Sequence, residues 1–303
     1  MNTKFTESVI YNNRTTGRRL FSTFNYIFLS ILTVVSVVPI INILCMSVSS
    51  NQYVAAGKVG LWPMGFTFEA YMRIIKNDMF ISSLTISIER SILGVVLTMI
   101  CTILAAYPLS LEKREFRARG FFVWFFMISM LFNGGLIPWY MIVRETGLYD
   151  TIFALVIPSA FSFFYVLLLM NFFRTLPKEI AESASIDGAS RLRTLLSIIL
   201  PVSTPVLATL VLFIFVNHWN SWFDGFIFMK TPKGYPLQTY LFTVLTIPDT
   251  SMMTGEEISA FFSVNQRSIK AAEIFVATVP IFLLYPFLQR YFTKGIVLGS
   301  VKG

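Results

Sequence analysis

The sequence predicts an all-α membrane protein with six transmembrane helices and both termini in the cytosol. Three observations lead there. First, 55% of the 303 residues are hydrophobic and only 13% are charged, with a mean hydropathy of +0.69. Soluble domains carry about 25% charged residues, so a water-soluble core would not hide this much apolar surface. Second, the apolar residues form continuous runs longer than the roughly 18 that mark a membrane span. Third, Lys and Arg fall unevenly on the segments between those runs, and that bias sets orientation.

The runs lie at about 21–48, 80–109, 120–142, 151–173, 198–222 and 271–289. Roughly 20 helical residues cross the ~30 Å hydrocarbon layer, so the longer runs tilt or extend beyond it. They do not alternate over about 10 residues as barrel strands do, so helices satisfy their backbone groups. Residues 1–20 read as a cytosolic N-terminal segment and 21–303 as one membrane domain. Within it, a cytosolic loop spans about 174–197 and an external loop about 223–270.

Of the 24 Lys and Arg, 15 lie on one side. They are Lys4, Arg14, Arg18 and Arg19 before the first run; Lys113, Arg114, Arg117 and Arg119 after the second; Arg174, Lys178, Arg191 and Arg193 after the fourth; and Arg290, Lys294 and Lys302 at the end. The net charge of +8 therefore reads as topology and not as nucleic-acid binding. The first run is too long for the 7–15-residue core of a signal peptide and follows a mostly polar segment. Cys45 and Cys101 both fall in runs, and His218 is the lone histidine, so neither a disulfide framework nor a metal site is expected. No Gly-rich phosphate loop of the GxxxxGK type occurs. The chain is thus expected to be no enzyme and to bind no cofactor, so that any nucleotide energy comes from another chain.

The cytosolic stretch "EIAESASIDGASRLRTLLSIILPVSTP", Glu179–Pro205, interrupts this apolar chain. Pro177 suits a first helical turn, and Glu179 and Glu182 suit the positive end of the dipole. Ile180, Ala181, Ala184 and Ala189 form a small apolar face suited to close docking of another backbone. Gly188 fits a left-handed cap, and Ser190 fits the N-cap of the next helix. A solvated linker is the competing reading of these features.

The same stretch resembles the permease loop of binding-protein-dependent ABC importers: EAA, three residues, G, nine residues, I, any residue, LP. Here stand Glu182-Ser183-Ala184, Gly188, Ile198, Leu200 and Pro201, with Ser in place of the second Ala. "LPKEIAESASIDGAS", "LPVSTP" and "HWNSWF" resemble the sugar-importer branch that includes the maltose permease. "FNGGLIPWY" and the ending "QRYFTKGIVLGSVKG" are similar to its oligosaccharide sub-branch, which includes the alginate importer's permeases. The resemblance implies a type I importer permease fold in the bacterial cytoplasmic membrane. It implies a second homologous permease, two ATPase subunits and an extracellular or periplasmic solute-binding protein as partners. It makes 177–190 a coupling helix, with Glu179, Glu182, Ser183, Ala184, Asp187 and Gly188 as contacts to an ATPase, and Val301, Lys302 and Gly303 as a second contact.

A secondary transporter would place acids or broken helices at midplane. Only Glu89, Arg90 and Glu273 lie inside or at the edge of runs, toward the outer side. Glu89 and Arg90 read as a bridge to the partner permease ahead of a sugar contact. Sugars need aromatic faces beside amides and hydroxyls, which suggests a path along Asn133, Trp139, Tyr140, Asn217, Trp219 and Asn220. An interfacial aromatic belt is the alternative for Trp219 and Trp222. Tyr107 suits a gate or packing. The external loop is expected to reach the binding protein, notably 247–257. The segment 61–75 is expected on the outer surface, with Phe66, Phe68, Tyr71 and Ile74 toward apolar neighbours.

Overall fold

The computed structural model describes residues 16–132, 134–246 and 267–299, and the regular structure among them is helical apart from one isolated antiparallel bridge, Ser49 to Phe66. Two units are resolved, Met1–Arg73 with Thr254–Phe275, and Ile74–Met253 with Val276–Gly303.

The first unit opens with α1, Thr16–Ser47. Leu20, Phe24, Ile27, Ile31 and Val35 are all exposed along it, as a lipid-facing helix requires. Its C-terminal end is tied down by short-range bonds. Ser49 Oγ donates to the Cys45 carbonyl at 2.6 Å and accepts from the Met64 N–H at 3.0 Å. Asn42 Nδ2 donates to the Gly60 carbonyl at 2.8 Å. Two short helices follow, α2 at Asn51–Ala55 and α3 at Glu69–Ile75. The expected inward set 66, 68, 71 and 74 divides. Ile74 is buried and Tyr71 hydrogen-bonds Ser47, whereas Phe66 and Phe68 are exposed and pack edge-to-face on each other.

The second unit is organised around α4, Asp78–Ser110, capped by the Asn77 side chain. One stripe of α4 is buried and consists of small residues: Ser83, Ser87, Ser91, Gly94, Thr98 and Thr102. Small side chains let neighbouring helices approach closely in a membrane. At Gly94 the approach is closest, since a Cβ there would lie 2.4 Å from His218 Nε2.

Three of the expected runs are broken. Residues 120–142 form α5, Arg119–Leu131, and α6, Leu136–Glu145, bent by 112°. Gly135, at φ 91°, adopts backbone that a side chain would oppose. Residues 151–173 form α7, Ile152–Val156, continued by a 3₁₀ turn, and α8, Phe163–Thr175, bent by 49°. After α9, Lys178–Ile186, and α10, Arg191–Thr194, a π-helical stretch passes into α11, Leu200–Val202. That segment meets α12, Thr204–Asn220, at 84°. Pro201 and Pro205 flank this break, and each removes a backbone donor. Three unbroken helices among the described residues are long and apolar enough to cross a membrane, or six if each bent pair is one crossing.

The expected external loop from 223 is not extended where it is described. It forms α13, Phe223–Phe228, and α14, Leu237–Leu245. Both pack into the unit, with Phe228, Leu237 and Thr239 fully buried. The Leu237 N–H donates to Ser87 Oγ of α4 at 2.7 Å. Residues 247–257 lie outside the described residues. The last helix, α15, runs Arg267–Gly299 and contributes to both units.

Candidate functional site

The α8–α12 connection is built from local signals. Pro177 is the residue before the first turn of α9, one position earlier than expected. At the other end the Gly188 N–H donates to the Ser185 carbonyl at 3.1 Å and the Ala189 N–H to the Ala184 carbonyl at 2.9 Å. With Gly188 at φ 76°, this is a Schellman cap. Ser190 Oγ then accepts from the Arg193 N–H at 3.3 Å and caps α10. The small apolar face turns toward the chain's own helices. Ala184 is buried and Ile180, Ala181 and Ala189 are half-buried. The face left exposed carries Glu179, Glu182, Ser183 and Asp187 together with Ile186, which is 86% exposed. Sequence reasoning passed over Ile186. Its signal was a large apolar residue set between acids on a polar helix.

Two ion pairs join this connection to the α4–α5 loop, Lys178 to Glu112 and Arg191 to Glu115 at 3.1 Å. The hydrogen bond from Lys178 holds the Glu112 carboxyl below its usual range, and the same bond raises the Lys178 ammonium. Tyr107 packs edge-to-face on Phe173.

A second site lies along α12. Phe213, Asn217 and Asn220 are exposed at helical spacing, so one face of the helix presents two amides and a ring. With Val216, Trp222 and Phe223 they line an open groove of about 680 Å³. Trp222 stacks on Phe242 at 4.1 Å. The wall is anchored by Arg90 and Asp224, a pair that is only 1% and 10% exposed at the side chains. Asp224 also accepts from Ser221 Oγ and the Gly225 N–H, each at 2.9 Å, while Arg90 Nη1 donates to the Ser221 carbonyl at 3.1 Å. Thr239 Oγ1 donates to the Trp222 carbonyl at 2.6 Å.

The expected path residues therefore separate. Asn217 and Asn220 face the groove. Trp219 does not: it is 1% exposed and its Nε1 donates to the Ala277 carbonyl at 3.0 Å. Trp139 and Tyr140 pack on Phe228, with Trp139 at 4.8 Å edge-to-face, and do not line the groove. Asn133, Val301, Lys302 and Gly303 lie outside the described residues. Arg90 is consumed by Asp224 within this chain and so is not a bridge to a partner, whereas Glu89 is exposed. The Arg90–Asp224 pair had a sequence signal, because an arginine in an apolar run requires a partner.

The sequence pattern of the binding-protein-dependent transport system inner membrane components matches residues 87–298. The chain belongs to this family. As a membrane component of a binding-protein-dependent transporter it is a multi-pass protein of the inner membrane and not itself an enzyme, and membership brings a binding protein and ATPases as partners. It is 35% identical to the protein LplC of Bacillus subtilis (strain 168), over 96% of this chain and 98% of that one. It is 34% identical to the polygalacturonan/rhamnogalacturonan transport system permease YtcP of the same organism, over 94% and 99%. Among solved structures it is similar to a crystal structure of a bacterial ABC transporter involved in import of the acidic polysaccharide alginate, with a TM-score of 0.81, 30% identity, and coverage of 92% of this chain and 99% of that one.

Proposed function

We propose that this permease is one half of the translocation path of an ATP-driven importer carrying an oligosaccharide across the bacterial cytoplasmic membrane. The observation that carries the reading is the α12 groove, where the exposed amides of Asn217 and Asn220 stand beside the rings of Trp222 and Phe223. A sugar ring has apolar C–H faces and polar edges, and this combination offers surfaces for both. The relative named for polygalacturonan and rhamnogalacturonan and the structure named for alginate favour a carbohydrate polymer or its fragments over a single small sugar.

In this reading a second permease completes the path, and two ATPase subunits hold ATP and Mg. The helix α9 is the joint to one of them, with both chain termini on that cytosolic side. Glu179, Glu182, Ser183, Asp187 and Ile186 form the docking face, Gly188 sets its geometry, and Ala184 holds it to the membrane helices. The C-terminal Val301, Lys302 and Gly303 supply a further ATPase contact, and residues 247–257 meet the binding protein. The test is uptake by the reconstituted complex with a panel of neutral and uronic oligosaccharides. The Asn220→Ala variant should lower uptake at least several-fold while the ATPases still co-purify. Wild-type uptake kinetics for every sugar would remove Asn220 and the groove from the path.

A further inference from the structure

A cavity of about 660 Å³ lies among the end of α4, the α4–α5 loop, the end of α8, and α9 with α10. Five cations and three carboxylates line it. Two of each are spent on one another, as Lys178 with Glu112 and Arg191 with Glu115. What remains is Arg114, Arg119 and Arg174 sharing the cavity with Glu182, which lies near Lys178, while Arg114 is within electrostatic reach of Glu112. None of these three arginines has a carboxylate within ion-pair distance among the described residues. Arg174 is held in place, since its Nη2 donates to the Leu109 carbonyl at 3.0 Å and contacts Met170 Sδ at 3.1 Å. The Arg119 Nε is shut off from solvent and has no acceptor among the described residues. Like charges gathered in one cavity are unfavourable unless an anion joins them.

The neighbourhood says what kind of anion. Arg119 opens α5 and Arg174 closes α8, so the cavity sits where apolar helices end. The next turns of α5 expose Phe121, Trp124 and Phe125 at 69%, 64% and 53%, and no residue of α5 is buried. A cationic cavity whose Arg119 stands within the two turns before exposed aromatic residues of α5 matches an amphiphile with an anionic head and apolar tails. Basic pockets between membrane helices on the cytoplasmic side hold such lipids.

We infer that this cavity binds the phosphate headgroup of an anionic phospholipid, gripped by Arg119 and Arg174 with Arg114 beside them, while the acyl chains lie along α5. This rests on the proposed orientation that puts α9 on the cytosolic side. The lipid would stiffen the α4–α5 loop to which α9 is pinned.

The test uses the whole importer complex in vesicles of phosphatidylglycerol and phosphatidylcholine, with lipid retained after detergent extraction read by native mass spectrometry. Wild type should retain phosphatidylglycerol over phosphatidylcholine. Arg119→Gln/Arg174→Gln should lose about fivefold per cation, or roughly twenty-five-fold together. Arg119→Lys/Arg174→Lys should keep most of the retention, which separates loss of charge from misfolding. Co-purification of the ATPases, measured in the same samples, reports the coupling reading independently. Equal retention by wild type and the Gln variant would overturn the proposal. So would displacement of the lipid by millimolar inorganic phosphate, which would assign the cavity to a free anion.

Discussion

Replacing Asp224 by Ala should be among the most damaging single changes in the second unit, although Asp224 touches no other subunit in this reading. Its carboxylate collects both Nη groups of Arg90, the Ser221 hydroxyl and the Gly225 N–H. Removal leaves the Arg90 guanidinium, 1% exposed, with the Ser221 carbonyl as its acceptor. Breaking a buried ion pair from one side costs about 3–5 kcal/mol, because the remaining charge stays desolvated. At roughly 2–4 °C per kcal/mol for a chain of this size, the melting temperature should fall by ~6–20 °C. Removing both charges in Arg90→Met/Asp224→Ala should cost clearly less than the sum of the two single variants, since no orphan charge remains. Thermal unfolding of the purified complex in one detergent, followed by tryptophan fluorescence, measures all four corners of this cycle. A fall below about 2 °C for Asp224→Ala, or strict additivity in the double variant, would refute the claim that the pair anchors the groove wall.

The remaining predictions concern the α9 connection. Ile186→Ser should leave the melting temperature unchanged, because the side chain is 86% exposed, yet weaken ATPase co-purification by about 10- to 150-fold, the worth of about 1.5–3 kcal/mol of apolar burial; unchanged co-purification would take Ile186 out of the docking face. Gly188→Ala should destabilise the cap by about 1–2 kcal/mol through its φ of 76° alone, since a methyl added at that position would meet nothing within 4 Å; hydrogen exchange at α9 should rise locally, and equal exchange would contradict the left-handed cap. The Lys178–Glu112 pair should support the connection at neutral pH and fail at both extremes. Glu112 is depressed, so its contribution is lost as pH falls through its folded value. Lys178 is raised, so its contribution is lost only as pH climbs past its own. Exchange rates at α9 across pH, compared with Glu112→Gln, should show both limbs vanish in the variant.

Composition and the spacing of apolar runs determined the membrane class, because no soluble fold hides so much apolar surface. The α9 connection was equally legible. The Schellman cap at Gly188 and the Ser190 cap are closed by partners within five residues, so neighbours in sequence are neighbours in space. Which side of a membrane helix faces what was decided only by the tertiary structure. In a span both the lipid face and the packed face are apolar, so the periodic contrast that marks a soluble helix is missing. Trp219 and Asn220 are adjacent and read alike as path residues, yet helix rotation buries one and exposes the other. Arg90 and Asp224 are 134 residues apart. Arg90, in an apolar run, signals in isolation that a charge needs a partner, whereas Asp224 stands in the expected external loop and gives no such signal; only the packing of α4 against the segment after α12 brings the two together, because the chain order does not say where a desolvated charge meets its opposite.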